Sequence, residues 1–408
     1  MFGVAKKLMK NMRKLIFFAQ EASFYSAIVR PMLRYKNIPF TETAYAKNII
    51  EKFFDKSGSV QIPQIMTLDG QIIQDTTLIC DYLEQHYPEK SMTPITPIQK
   101  IISKIIQEFA NDFMIMPAMH YRWNFKFTNW RVCYYDFAKL AVPDYLFFLR
   151  PFIAMKITPK IEMAYRKMGG LDEDFIPEIE KWYLDFLNKL NIHLAQHRYL
   201  LGDRPSIADC ALMGPLYAHL GRDAYPKKLM LKLAPHVYEW VKRMNFPDNT
   251  DTDYLSNDEL PKTLMPILDL IFKHQGEKTI GIIKKTDEYM KKMSDKNELL
   301  SRFSGKAKFQ LGKYLGTRAT EVHIAWLRQK MLEDYDNFIE NDKVKITNFL
   351  EKNNWIDYFD LRLDQPIKRI RNKYYHKDAD ENFVKERDQF INQGAFSGGK
   401  KSKRATRD

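Results

Sequence analysis

The chain has 408 residues, too many for one compact core and suited to two or three domains. With 45% hydrophobic and 28% charged residues it is globular in composition and is neither disordered nor membrane-like. The longest apolar stretch, residues 145–157, is broken by Arg150, Pro151 and Lys156, so no segment can cross a bilayer unaided. The net charge of +13 would suit an acidic partner, yet part of it sits in a basic tail, Gly398-Gly399-Lys400-Lys401-Ser402-Lys403-Arg404. No aromatic residues alternate with those charges, which favours a solvated tail over a nucleic-acid arm.

In chain order, residues 1–13 are basic and mildly apolar without a signal-type core, and read as an N-terminal extension. Residues 14–18 (KLIFF) form a continuous apolar run that predicts a buried strand. Tyr25, Ile28, Val29, Met32 and Leu33 then share one helical face, with Pro31 expected to distort the helix. The chain turns extended again near Pro39 and Phe40. Residues 62–66 and 71–73 predict two strands joined by a turn at Asp69-Gly70, and a helix follows over 76–87 with Ile79, Tyr82, Leu83 and His86 inward. Strand, helix, strand, hairpin, helix is a small α/β domain covering residues 14–89.

After a proline-containing linker at 90–97, Thr96-Pro97-Ile98-Gln99 predicts a helix start with Thr as N-cap, Pro at the first position and Gln at the box position. From there the periodicity is helical over a domain at 97–245. A second helix carries Ile179, Trp182, Tyr183, Phe186, Leu187, Leu190 and Leu194. A third opens at Ser206-Ile207-Ala208-Asp209, a capping box with Asp in the place of Glu. Beyond a polar, turn-rich edge, helical runs at 263–274, 279–293 and 320–340 predict a helical extension over 260–375, and 395–408 is the basic tail. Cys80, Cys133 and Cys210 are far apart and lie among apolar neighbours, so buried reduced thiols in a reducing compartment are expected. Phosphate-loop, zinc-hydrolase and nucleophile-elbow motifs are missing from the sequence.

Three stretches resemble, in order, the cytosolic glutathione transferase superfamily: LIFFAQEASFYSAIVRPMLRYKNIPF, QIPQIMTLDGQIIQDTTLICDYLEQHYP and YLLGDRPSIADCALMGPLYAHL. The resemblance covers roughly the first two-thirds of the chain. It implies a thioredoxin-like domain that binds glutathione, then an all-α domain with extra helices, a cytoplasmic setting and a homodimer. It implies no metal and no membrane span. Ser23 matches the position that donates a hydrogen bond to the glutathione sulfur, while its plain reading is a helix N-cap. Tyr25 is a second hydroxyl, better suited to packing, and Glu21 is a carboxylate that would oppose a thiolate. Pro63 matches the family's cis-proline, which leaves the backbone of Ile62 to pair with the cysteinyl part of glutathione. Asp75 and Thr76 match the acidic-hydroxyl pair that meets the γ-glutamyl ammonium and carboxylate; read alone they are a helix cap. Asp209 is assigned to folding. His120 and Arg122 are the polar candidates for an electrophile pocket between the domains, and Arg318, His323 and Trp326 either serve the structure or close over the cleft. The expected function is attack of glutathione thiolate on a small electrophile. The alternative is a non-catalytic binding or assembly module on the same fold.

Overall fold

The computed structural model describes residues 14–44, 58–59, 61–136, 147–169, 172–248 and 252–386; the extension expected at 1–13 and the tail expected at 395–408 lie outside them. The first domain is a four-stranded sheet ordered β2-β1-β3-β4, from β1 (Leu15–Ala19), β2 (Phe40–Ala44), β3 (Gln64–Met66) and β4 (Ile72–Gln74). β1 runs parallel to β2 and antiparallel to β3, and β3 antiparallel to β4. All five β1 residues are buried, as an uninterrupted apolar run requires of a strand covered on both faces. Leu15, Phe17 and Ala19 face the main core, whereas Ile16 and Phe18 meet Met66 on the other side. Helix α1 (Phe24–Tyr35) runs unbroken through Pro31. The β3–β4 turn places Gly70 at φ +83, where a side chain would be strained. Helix α2 (Thr76–His86) buries Ile79, Cys80 and Leu83; His86 is exposed and stacks on Tyr82 rather than facing inward.

The helical domain comprises α3 (Pro97–Asn111), α4 (Ile115–Trp123), α5 (Arg150–Gly169), α6 (Ile176–Leu194), α7 (Ile207–Pro215), α8 (Ala224–Leu233) and α9 (Pro235–Asn245). Short π-helical turns occupy Arg131–Asp136 and Leu216–Leu220. The capping box at Ser206 is complete: its hydroxyl accepts from the Asp209 amide, and the Asp209 carboxylate accepts from the Ser206 amide at 2.9 Å. That carboxylate also takes the Leu200 amide and the Trp240 indole N–H, so a fully buried Asp is held by the surrounding chain. At α3 the local box does not form. Asp258, far along the chain, accepts the Ile98 and Gln99 amides at 2.9 and 3.0 Å instead. The three cysteines are free and buried.

Beyond α9 the sequence expectation of a helical extension is met only in part. The two runs at 263–274 and 279–293 are one helix, α10 (Met265–Met290). Their separation in sequence comes from Gln275 and Gly276: Gln275 is buried and hydrogen-bonded to Glu108, Asp112 and Thr279, and Gly276 lies so close to the Tyr358 ring that a Cβ would sit 2.6 Å from it. Two antiparallel hairpins interleave with α11 (Val322–Asp336) and α12 (Glu340–Lys352): β5 (Phe303–Leu311) with β6 (Tyr314–Glu321), and β7 (Ile367–Ile370) with β8 (Lys373–His376). The second hairpin turns through Arg371 and Asn372, both at positive φ, as a two-residue hairpin loop demands. One continuous core runs from the sheet through the helical domain into α10, β5, α11 and α12.

Candidate functional site

Strand register gathers the site. Phe18 at the end of β1 pairs with Gln64 at the start of β3, and Gln64 pairs with Gln74 at the end of β4. The β1–α1 turn with Ser23, the Ile62-Pro63 peptide ahead of β3 and Asp75 at the start of α2 therefore emerge at one end of the sheet. The Ile62-Pro63 bond is cis.

Ser23 is the N-cap of α1, and its Oγ accepts from the Ser26 amide at 3.2 Å. Capping uses an acceptor lone pair, so the hydroxyl keeps its proton to donate, at a helix N-terminus whose partial positive charge favours an anion. Ser23 is half-buried. Tyr25 packs against the core, its ring 5.1 Å from Phe24.

The Ser23 turn is clamped to the helical domain by residues that sequence reading missed. Tyr217 donates to Glu21 at 2.6 Å, and burial pushes its phenol up to about 12. Arg222 lies 3.7 Å from Glu21 and 2.9 Å from Asp136. The carboxylate that would oppose a thiolate is thus compensated by a phenol and a guanidinium. Tyr217 falls inside the third resembling stretch, but spacing does not reveal that it returns to residue 21.

His120 and Arg122 do not serve as open-pocket groups. His120 is buried, with Nε2 2.9 Å from Glu180 and Nδ1 2.7 Å from Asn124. Arg122 is buried in a two-pronged pair with Asp223 at 2.7 and 2.9 Å, and donates to the Ala218 carbonyl and, at 3.4 Å, to the Ala22 carbonyl. Arg122 thus supports the Ser23 turn from beneath. A cavity of about 390 Å³ lies between α2, α3 and α11, lined among others by Thr77, Lys104, Glu108 and Lys330; Ser23, Pro63, His120 and Arg122 do not line it.

At the other anchor, Asp75 caps α2 through its own backbone turn at φ 89, its Oδ1 accepting from the Thr77 amide at 2.9 Å. Asp75 and Thr76 are buried, because the extension covers them. Arg369 of β7 places Nη1 3.4 Å from Asp75 Oδ2, and His323 of α11 places Nε2 3.9 Å away. Burial lowers the His323 imidazole below its ordinary pKa. Arg318 stays with the helical domain instead, its guanidinium 4.0 Å from the Phe175 ring. Among the described residues no group of three or more His, Cys, Asp or Glu side chains is placed to hold a metal ion, and no helix is long and apolar enough to cross a membrane.

A thioredoxin-like sheet gathers a helix-capping hydroxyl, a cis-proline and a capping carboxylate at one end and is joined to a helical domain. Residues 17–91 match the glutathione S-transferase N-terminal domain, and residues 177–246 the glutathione S-transferase C-terminal domain. The two matches fall in the order and spacing of the two glutathione S-transferase domains. It is 34% identical over 65 residues to glutathione S-transferase omega-1 of Sus scrofa, a match spanning 16% of this chain and 27% of that protein. The rat (Rattus norvegicus) omega-1 protein is 34% identical over 62 residues, 15% of this chain and 26% of its own. The chain therefore spans about a quarter of the curated relatives it matches. Among solved structures, a glutathione S-transferase from Rhodospirillum rubrum F11 aligns with 63% of this chain and 99% of its own at 17% identity and a TM-score of 0.37. One from Methylobacterium radiotolerans, in complex with glutathione sulfonate, aligns with 59% and 99% at 14% identity and a TM-score of 0.35.

Proposed function

We propose that this chain binds glutathione at the end of its four-stranded sheet and activates the thiol for attack on a small electrophile. The observation that carries the reading is Ser23: a half-buried helix-capping hydroxyl with its proton left to donate, on the same sheet end as the cis Ile62-Pro63 bond. A hydrogen bond from Ser23 to sulfur, together with the α1 N-terminus, favours the thiolate and lowers the thiol pKa by about one to two units. The thiol proton passes to water, and the sulfur lone pair forms the new bond to the electrophilic carbon as the leaving group departs with its bonding pair. Ile62 supplies backbone groups for the cysteinyl residue, and Thr76 with the α2 N-terminus receives the γ-glutamyl carboxylate. Tyr217 and Arg222, the half-buried polar groups tied to the Ser23 turn, form the wall on the electrophile side. A homodimer in the cytoplasm belongs to the same proposal, and sedimentation measures its first part.

Calorimetric titration with glutathione, and with glutaryl-cysteinylglycine (glutathione without its amino group), tests the reading. Glutathione binds at millimolar concentration or below; no binding of glutathione there overturns the proposal. Ser23→Ala keeps most of the affinity and raises the pKa of the bound thiol, read from thiolate ultraviolet absorbance. An unchanged pKa removes Ser23 from its role.

A further inference from the structure

Asp75 is the acid that the family resemblance assigns to the ligand's ammonium, and in the folded chain both its oxygens face partners. Oδ1 takes the Thr77 amide at 2.9 Å, and Oδ2 faces Arg369 Nη1 at 3.4 Å and His323 Nε2 at 3.9 Å. Arg369 does not reach there by chance of a long side chain. Its Nη2 donates to Gln74 Oε1 at 3.4 Å, next to Asp75 in the chain, and to Asn372 Oδ1 at 3.0 Å in its own hairpin turn. Its guanidinium carbon lies 4.7 Å from the Trp326 ring centre and 5.4 Å from that of Tyr374, so the cation is flanked by two aromatic rings. Tyr374 in turn bonds His323 Nδ1 at 2.6 Å, and its carbonyl accepts the Leu300 amide at 2.9 Å. The turn beyond Arg369 presses on the segment ahead of the cis-proline: a Cβ on Gly58 would lie 2.4 Å from the Arg371 carbonyl oxygen.

Moving such a guanidinium aside exposes a buried cation and unstacks it from two rings. An incoming ammonium gains only the carboxylate that Arg369 gives up. Arg369 is 92% buried; its Nη1 meets Asp75 as an ion pair and not as a hydrogen bond, and neither Nη1 nor Nε finds a hydrogen-bond acceptor. The seat is therefore filled by a positive group of the chain itself, with spare donors suited to an anion.

Resting on the glutathione-site reading above, we infer that Arg369 is a specificity-determining residue: it takes the place of the ligand's ammonium on Asp75. The site accordingly gains no affinity from a free γ-glutamyl amine and accepts at least as well thiol ligands whose terminal group is a carboxylate alone. The C-terminal β7–β8 hairpin thus sets the ligand class of the N-terminal domain.

The experiment compares the affinities of the full-length chain for glutathione and glutaryl-cysteinylglycine by calorimetry. The wild-type chain binds the two equally or favours the analogue. Arg369→Gln shifts the ratio toward glutathione by about tenfold or more, as one ion pair regained on Asp75 would, and Arg369→Lys, which keeps the cation, keeps the wild-type ratio. A residue that merely held the hairpin would lower both affinities together and leave the ratio unmoved. A wild-type preference for glutathione of tenfold or more overturns the inference whether or not the variants fold. So does an unchanged ratio in a folded Arg369→Gln chain. If neither thiol binds either chain, the glutathione-site reading has failed instead, and the inference falls with it.

Discussion

Arg122 and Ser23 sit on opposite sides of one question, whether a polar residue near a cleft serves the ligand or the chain. Arg122 is engaged through all three nitrogens: Asp223 takes two of its N–H groups, and the Ala218 and Ala22 carbonyls take one each. These acceptors offset the cost of taking its charge into the core. Arg122→Ala strands the Asp223 carboxylate in the core and lowers unfolding free energy by about 3–5 kcal/mol, measurable by urea titration. The companion change Arg122→Met with Asp223→Leu removes both charges and recovers most of that loss, because the cost lies in the orphaned partner. Ser23 differs because its capping bond leaves a donor over, at the sheet end where Pro63 and Asp75 emerge. The sequence marks both residues as polar and near the domain boundary. Which one has spare hydrogen-bonding capacity depends on residue 223 and residue 26 being in place.

At the scale of elements, local signals and distant ones share the work of ending and starting helices. Helix α7 starts on its own information: Ser206 and Asp209 complete the box within four residues. Helix α3 starts at Thr96 and Pro97, as the local code predicts, yet its orphan amides go to Asp258. Asp258→Ala therefore destabilises the chain by about 1 kcal/mol, in the range of a lost N-cap, although the residue lies far from the helix in sequence. The expected drop in thermal midpoint is small and reproducible; no drop would mean Thr96 suffices alone. Close approach is set the same way. Gly214 of α7 faces Phe24 of α1 with room for no Cβ, its nearest ring carbon 2.7 Å from where that atom would stand. This contact joins the helical domain to the residue next to Ser23.

For the whole molecule, buried histidines give a pH dependence with a definite sign. Burial lowers His193, which lies 2.9 Å from the Thr263 hydroxyl, to about 4. Burial, with Arg122 nearby, also carries His219 well below its ordinary value. The folded chain then binds these protons less readily than the unfolded chain does. Their contribution to stability is complete above about pH 6.5 and is lost as pH falls from there toward 4. His193 alone accounts for a loss of about 2 kcal/mol at pH 5. The thermal midpoint of the wild-type chain should fall over that interval, and His193→Gln should flatten the fall.

Much of this organisation is legible in the sequence for physical reasons. Continuous apolar runs, 3.6-residue periodicity, Asp-Gly turns and capping residues act over fewer than ten positions, so the α/β domain, the helical domain and the positions of Ser23, Ile62, Pro63, Asp75 and Thr76 follow from neighbours in the chain. The hairpins β5–β6 and β7–β8 were not legible, because β5 and β6 are rich in polar residues without a clear two-residue apolar alternation and owe their strands to pairing with each other and packing on α10. Nor was the fate of Asp75. The residue is named as an anchor by its place before α2, but only the tertiary structure brings Arg369, almost three hundred positions later, within 3.4 Å of it. Sequence determines which groups a segment carries and how it coils. Electrostatic pairing and desolvation depend on distance in space, and that is decided only when the extension folds back over the sheet.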